Sequence, residues 1–186
     1  MEALDALLTR QSVSAKDLGL PVPTAEQRER AFAAALTAPD HGAIRPWRFL
    51  VVEGTGLARL GEVFAAAGRR EGAEEKDVES ARGKALRSPL LIVCAAKVNP
   101  GHPKVPVVEQ VIAAGCATQN LLTAFHAMGF GAVLVTGGRA YDAGVKQALG
   151  LGAEDAIVGF LHVGTPQQPQ RPRTRPPVAH HVRAWP

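Results

Sequence analysis

Apolar residues recur along the chain at two spacings, which predict an alternation of helices and strands. Apolar residues three and four positions apart predict helices at residues 2–10, 24–37, 55–68, 106–128 and 141–149. Short apolar runs predict strands in "WRFLVVEG" (47–54), "LLIVCAAKV" (90–98), "GFGAVLVTGG" (129–138) and "AIVGFLHVGTP" (156–166). We therefore expect an α+β fold in which a small sheet is wrapped by helices.

The predicted helix at residues 106–128 is the most unusual element. It is apolar or small nearly all round, and Glu109 is its only formal charge. A helix of this kind must be covered on every side, and a chain of 186 residues has few other elements to do so. We therefore expect a homodimer in which the helix pairs with its copy. A membrane span is the alternative, and it is disfavoured by the polar side chains of Gln110, Thr118, Gln119, Asn120, Thr123 and His126.

Two segments depart from this regular pattern. Residues 69–87 are mostly charged and offer few apolar side chains to bury, so we expect an exposed and mobile helical segment there. Residues 166–186 are rich in proline and predict an extended C-terminal arm that is free to reach a neighbour. The whole chain, residues 1–186, is expected to form one domain.

Composition and charge narrow the classes of partner. Hydrophobic residues make up 46% of the chain, which supports a packed core, and the net charge is +4. The positive excess is local, since Arg171, Arg173, Arg175 and Arg183 all lie in the tail. The tail resembles no nucleic-acid-binding fold, so we expect no nucleic-acid partner. An anionic small molecule or cofactor explains the mild positive bias equally well.

The two cysteines and the N-terminus indicate the compartment. Cys94 falls in an apolar strand and Cys116 in an apolar helix, which fits buried thiols rather than a disulfide framework or a zinc site. The stretch "MEALDALLTR" lacks the apolar region of a signal peptide, and no stretch is typical of a membrane span. We therefore expect a cytoplasmic protein with no membrane partner.

Few residues outside the core suggest chemistry on their own. Arg10 and Ser12 follow the first helix and could bind a phosphate, although an arginine at a helix C-terminus is often simply solvated. Asp40 and His41 could form an acid–base pair or ligate a metal, although turn chemistry is the simpler interpretation. The sequence contains no G-x-S-x-G nucleophile motif, and its glycines do not form the G-x-G-x-x-G fingerprint of a Rossmann site.

Several short motifs gain meaning from their order. The N-terminal helix ends in R-x-S, and it is followed by "APDH" (38–41), "PW" (46–47), "KVP" (104–106), "GC" (115–116), "GFG" (129–131), "IVGFL" (157–161) and "GTPQ" (164–167). This ordered set resembles the FMN-dependent nitroreductase family over nearly the whole chain. The resemblance is closest to the short NAD(P)H nitroreductases of that family.

The resemblance implies an α+β homodimer with a mixed β-sheet, a long central dimer helix and a C-terminal arm that embraces the partner. FMN would occupy two clefts at the interface, each lined by both subunits. By position, the FMN contacts would be Arg10, Gln11 and Ser12, then Thr37 and His41 from the other subunit, and Leu134, Val135 and Thr136 along the flavin. The segment associated with NAD(P)H would be Ala124, Phe125, His126, Ala127, Met128 and Gly129.

The chain departs from its relatives at several of these positions. Related sequences often carry arginine where this chain has Gln11, Thr37 and Val135, and the asparagine of the broader family falls at Ala43. Arg45 or an arginine of the tail would be a compensating cation. Asp40 and His41 would shape the mouth of the cofactor site, while Trp47 would anchor the next strand in the core.

The resemblance also implies the chemistry. Bound FMN would take a hydride from NAD(P)H and then reduce a nitroaromatic or quinone-like small molecule in the same place, which gives ping-pong kinetics. Neither a protein acid–base residue nor a metal is then required. The lost arginines keep an alternative open: an FMN-binding protein that sequesters the cofactor or serves one dedicated substrate, with little general reductase activity.

Overall fold

A five-stranded sheet with helices on both faces forms the centre of the molecule. The computed structural model describes residues 2–185. The helices are α1 (Ala3–Thr9), α2 (Ala25–Ala35), α3 (Thr55–Arg70), α4 (Glu75–Lys84), α5 (Val107–Ala127), α6 (Gly138–Tyr141) and α7 (Ala143–Ala148). The strands are β1 (Leu18–Gly19), β2 (Trp47–Glu53), β3 (Leu90–Ala96), β4 (Gly131–Val135) and β5 (Ala156–Pro166). The predicted α+β class is confirmed.

β5 is the central strand of the sheet. It pairs with β3 along one edge and with β4 along the other. The same residues, Phe160–Val163, therefore have a partner strand on each side. β2 pairs with the outer edge of β3, and β1 pairs with the last two residues of β5. Every strand pair within residues 2–185 is antiparallel, so the expectation of a mixed sheet is wrong for the single chain.

Alternation along β3 explains how one strand is buried on both faces. Leu91 and Val93 point into a cluster with α3, α4, α6 and α7. Leu90 and Ile92 point the opposite way, into a cluster with α2 and α5. The predicted burial on both faces is therefore confirmed, and β3 is the core of a helix–sheet–helix sandwich.

The charged segment at residues 69–87 is helical and mostly exposed, as predicted, but it also reaches the core. It contains α4, which packs along α3 through Val78, Ala81 and Ala85, each no more than 2% exposed. These few apolar side chains recur three and four positions apart and so form one buried stripe, which the prediction missed. Gly61 of α3 permits the close packing, since a Cβ there would lie 2.9 Å from the Arg82 carbonyl oxygen.

Local signals set several element boundaries. Thr24 and Gln27 form the predicted capping box, with the Thr24 hydroxyl accepting from the Gln27 backbone N–H. The predicted helix at 141–149 is split, because the Asp142 carboxylate accepts from the Val145 N–H and caps a new helix, α7. Gly150 follows α7 in the left-handed conformation, as expected for a helix end.

The long helix α5 contributes to the core with one face only. Leu121 and Phe125 are fully buried, whereas Val108 and Ile112 are 61% and 58% exposed. Beyond β5 the chain leaves the sheet as an exposed arm with one short turn at Val178–His180. None of the helices in residues 2–185 combines the length and the apolar content that crossing a bilayer requires.

Candidate functional site

A cavity of about 210 Å³ opens where the ends of α1, α5 and β5 meet. Arg10 caps α1, and its backbone N–H donates to the Ala6 carbonyl at 3.1 Å. The cavity is lined by Arg10, Gln11, Val13, Leu122, His126, Gly129, Phe130, Gly131, Ala132, Pro166 and Gln170. It therefore joins the N-terminal segment, the end of the long helix and the start of the arm.

Positive charge accumulates at this cavity. An Nη atom of Arg175, in the arm, donates to the Arg10 carbonyl oxygen at 2.5 Å. Burial, and then the charge of Arg175, lower the pKa of Arg10. No carboxylate in residues 2–185 forms an ion pair with either guanidinium. Two cations without a counter-charge favour a phosphate or a similar anion.

His126 adds a titratable group beside these arginines. Its Nε2 lies 2.9 Å from the Thr9 hydroxyl, which itself donates to the Asp5 carbonyl. Burial, and then the charge of Arg10, lower the pKa of His126. The imidazole is therefore mainly neutral at pH 7, and because the single Thr9 hydroxyl proton goes to the Asp5 carbonyl, the His126 Nε2–H donates to the Thr9 oxygen.

A second region surrounds the end of β4. Val135 is 37% exposed and lies between two further cavities, of about 160 and about 450 Å³. Val135 and Thr136 both line the smaller cavity. The basic residues around the two cavities are Lys16, Lys84, Arg87 and Arg139, and no carboxylate lines either one. An apolar floor with cations at its rim suits a flat, electron-rich ring system.

A buried polar pair supports the floor of the smaller cavity. His162 of β5 is 3% exposed, and its Nδ1 lies 2.7 Å from the Ser88 hydroxyl. Burial, and then the charge of Arg87, lower the pKa of His162 to about 4. His162 is therefore neutral at pH 7, and it acts as a fixed hydrogen-bonding group rather than as a cation.

The loop before β2 forms a separate polar cluster. The Asp40 carboxylate accepts from the Arg45 backbone N–H at 2.6 Å, which confirms the turn interpretation of that aspartate. Its second oxygen, Oδ1, is buried without a hydrogen-bond partner. His41 Nδ1 lies 2.5 Å from Glu109 Oε2 on α5. Trp47 is 8% exposed and packs in the core, as predicted.

The candidate FMN residues fall into three places. Arg10 and Gln11 line the first cavity, and Val135 and Thr136 line the second region. Ser12 lies between Gln11 and Val13, which both line the first cavity, and Leu134 packs against the core. Thr37 lines a groove between α1, α2 and α5, while His41 is exposed beside Glu109. Within one chain, neither Thr37 nor His41 lines the Arg10 cavity.

The candidate NAD(P)H segment is split by the helical geometry of α5. His126 and Gly129 line the Arg10 cavity, whereas Ala124 and Ala127 line the groove that faces α1. Met128 packs against the core. Phe125 is fully buried in that core, so the expectation that it contacts a nucleotide is wrong: it has no exposed surface.

Several side chains at the two sites were not foreseen from the sequence. Lys16, Arg87 and Gln170 line the cavities, whereas Arg175, which contacts Arg10, is one of the tail arginines expected to compensate. Arg87 lies three residues before the buried strand β3, and this position near a strand entrance is the one local signal that pointed to it. In residues 2–185, no group of three or more His, Cys, Asp and Glu side chains converges as a metal site requires.

Comparison with known proteins assigns the family. The sequence matches the model of the nitroreductase family over residues 9–165. The chain belongs to the nitroreductase family. The chain is 40% identical over 167 residues to the Escherichia coli (strain K12) protein named "Putative NAD(P)H nitroreductase YdjA", with 90% of each chain covered. It is 38% identical over 165 residues to the Haemophilus influenzae protein named "Putative NAD(P)H nitroreductase", with 89% of each chain covered. The resemblance inferred from the ordered motifs is confirmed.

Solved structures show the same fold. The nitroreductase-like family protein from Bacillus cereus superposes with a TM-score of 0.84 at 22% identity, covering 100% of this chain and 96% of that one. A nitroreductase from Desulfovibrio desulfuricans, solved in complex with FMN, superposes with a TM-score of 0.75 at 23% identity, covering 100% and 98%. At these identities the likeness establishes the fold of this nitroreductase.

Proposed function

We propose that this nitroreductase is an FMN-dependent NAD(P)H oxidoreductase that reduces nitroaromatic or quinone-like small molecules. The observation that carries the proposal is a pair of uncompensated guanidinium groups: Arg10 lines a cavity at the start of β4, and Arg175 contacts the Arg10 carbonyl. Family membership and relatives named as NAD(P)H nitroreductases support the same activity. The neighbour solved with FMN supports the choice of flavin.

The residues present fit FMN. Arg10 and Gln11, with Ser12 next to them, supply a guanidinium, an amide and a hydroxyl for the phosphate. Arg175 lies close enough to contribute a second cation, which offsets the loss of charge at Gln11. The strand end at Val135 and Thr136 offers a surface for the flavin ring, while Leu134 supports it from the core. No carboxylate lines the two cavities beside this strand end.

The protein's own residues would bind and orient the reactants. When bound, FMN supplies the redox chemistry, taking a hydride from NAD(P)H and returning electrons to a second substrate in a ping-pong cycle. His126 and Gly129, at the Arg10 cavity, remain our candidates for contact with NAD(P)H. The neutral imidazole of His162 holds Ser88 and so fixes the loop that carries Arg87. None of these steps needs a protein acid or base.

The active form would be a homodimer with residues of both subunits at each site. Leucines 4, 7 and 8 of α1 are 66%, 55% and 67% exposed, and Val108 and Ile112 of α5 are also uncovered. An apolar surface of this kind is typical of a subunit interface. Pairing of these faces would bring Thr37 and His41 of the second subunit to the flavin. The arm would cross to the partner, where Val178, Val182 and Trp185, now exposed, would find cover.

The proposal is tested by reconstitution and turnover. The purified chain is mixed with FMN and freed of excess by gel filtration, and NADH or NADPH oxidation is then followed with a quinone or a nitroaromatic acceptor. We expect retained FMN and acceptor-dependent oxidation. FMN retention without oxidation would favour the alternative of a flavin-binding protein with a dedicated substrate. The lack of arginine at Gln11, Thr37 and Val135 is the observation behind that alternative.

A further inference from the structure

Arg87 lies where the two cavities beside β4 meet. The cavity of about 160 Å³ and the cavity of about 450 Å³ share three lining residues, namely Ala15, Arg87 and Val135. Arg87 is therefore the one arginine that lines both of these cavities. A flat ring resting on Val135 would extend into the space that Arg87 borders.

The guanidinium of Arg87 has no protein counter-charge. Arg139, at the same cavity, is paired with Glu71 at 2.8 Å, and Arg82 of α4 is paired with Glu62 at 2.7 Å. Within residues 2–185, by contrast, Arg87 forms no ion pair with a carboxylate. A free cation that borders cavities without carboxylates attracts an anion.

The backbone holds Arg87 in place, although its side chain is exposed. The next residue, Ser88, is 4% exposed, and its hydroxyl donates to the Leu90 carbonyl at 2.9 Å. The same hydroxyl lies 2.7 Å from Nδ1 of the buried His162. The backbone of Arg87 is thus carried by a loop that is fixed to β3 and β5, which keeps its side chain at the border of the two cavities.

We propose that Arg87 is the cation that stabilises the reduced, anionic form of FMN relative to the oxidised form. This inference rests on the proposed function, because it assumes that the flavin ring lies along Val135. Reduced flavin carries negative charge near N1, whereas the oxidised ring is neutral, so a fixed guanidinium beside the ring favours reduction. Val135 itself offers no charge for this purpose.

The test compares both redox forms of the holoenzyme. Dissociation constants for oxidised and reduced FMN, and the two-electron midpoint potential, are measured for the wild type, Arg87→Gln and Arg87→Lys. Arg59→Gln serves as the matched control, since Arg59 is exposed on α3, forms no ion pair in residues 2–185 and lines none of the cavities described here. Thermal unfolding of each variant checks that the fold is retained.

Arg87→Gln is expected to weaken reduced FMN about tenfold more than oxidised FMN. Since tenfold in a two-electron equilibrium corresponds to about 30 mV, the potential should fall by about 30 mV. Arg87→Lys should keep most of the wild-type potential, and Arg59→Gln should keep all of it. Equal weakening of both redox forms, or an unchanged potential with FMN still bound, would overturn the role proposed for Arg87 but not the proposed function. A wild-type chain that binds no FMN would overturn the proposed function as well.

Discussion

Removal of the Arg10 guanidinium should weaken FMN binding more than any other single change at the first cavity. Arg10 is held at the end of α1 and lines the cavity, and it has no carboxylate partner in residues 2–185. A hydrogen bond to a charged group contributes about 1.5–3 kcal/mol, which corresponds to about tenfold to about a hundredfold in affinity. Arg10→Ala should raise the FMN dissociation constant by that factor.

Gln11 provides the matched comparison. It lines the same cavity, but its amide is neutral, and a neutral hydrogen bond contributes only about 0.5–1.5 kcal/mol. Gln11→Ala should therefore cost less than Arg10→Ala. Both constants are measured by the quenching of FMN fluorescence during titration, at low and at high salt. The difference between the variants should shrink at high salt, because the Arg10 contribution is electrostatic.

If Arg10→Ala leaves the affinity for FMN unchanged, Arg10 does not bind the phosphate, which must then lie elsewhere. Arg175→Ala distinguishes the contribution of the arm. The Arg175 guanidinium contacts the Arg10 carbonyl, so its loss should weaken FMN while Arg10 remains in place. A larger effect from Arg175 than from Arg10 would assign the phosphate to the arm.

Three further predictions concern pH, charge and assembly. Burial lowers the pKa of His162 from 6.5 to about 4, so between these pH values the unfolded state binds more protons than the folded state. The free energy of unfolding should therefore fall by up to about 3 kcal/mol as the pH drops from 6.5 to 4. Urea unfolding of His162→Gln should show a smaller fall over the same pH range. Val135→Arg adds a further cation at the end of β4 and should speed flavin reduction by NADPH in stopped flow. Slower reduction or lost FMN would mean that the pocket has repacked around valine. Light scattering should report a dimer at micromolar concentration, and Ile112→Glu, on the exposed face of α5, should shift the protein toward monomer. A monomeric wild type would contradict the proposal that both subunits line each site.

Much of the fold follows from local signals in the sequence. The spacing of Thr24 and Gln27 predicted the capping box of α2, because this cap depends only on residues three positions apart. The uninterrupted apolar run of β3 predicted burial on both faces, and the nearly uncharged α5 predicted a helix with an uncovered face. In each case the decisive contacts, or the lack of them, can be read from one segment.

The second part of the site depends on contacts that no local pattern encodes. Lys16, Arg87 and Val135 are distant in sequence and meet only because the sheet brings β4 beside the segment that carries Lys16. The composition of the charged segment 69–87 predicted exposure, but it did not reveal that Val78, Ala81 and Ala85 form a buried stripe that packs the segment against α3. The family resemblance assigned roles by position, and it could not show that α5 turns Phe125 into the core. The cytoplasmic location and the single domain stay predictions.

The absorbance spectrum of the purified protein shows whether it holds FMN, as we propose, at a site built from Arg10, Arg175 and the end of β4. The chain is incubated with excess FMN and passed through a gel-filtration column, and the protein peak is scanned before and after NADPH is added without air. We expect flavin absorbance that travels with the protein peak and is bleached by NADPH. A colourless protein peak, with all of the FMN eluting as free cofactor, would contradict it.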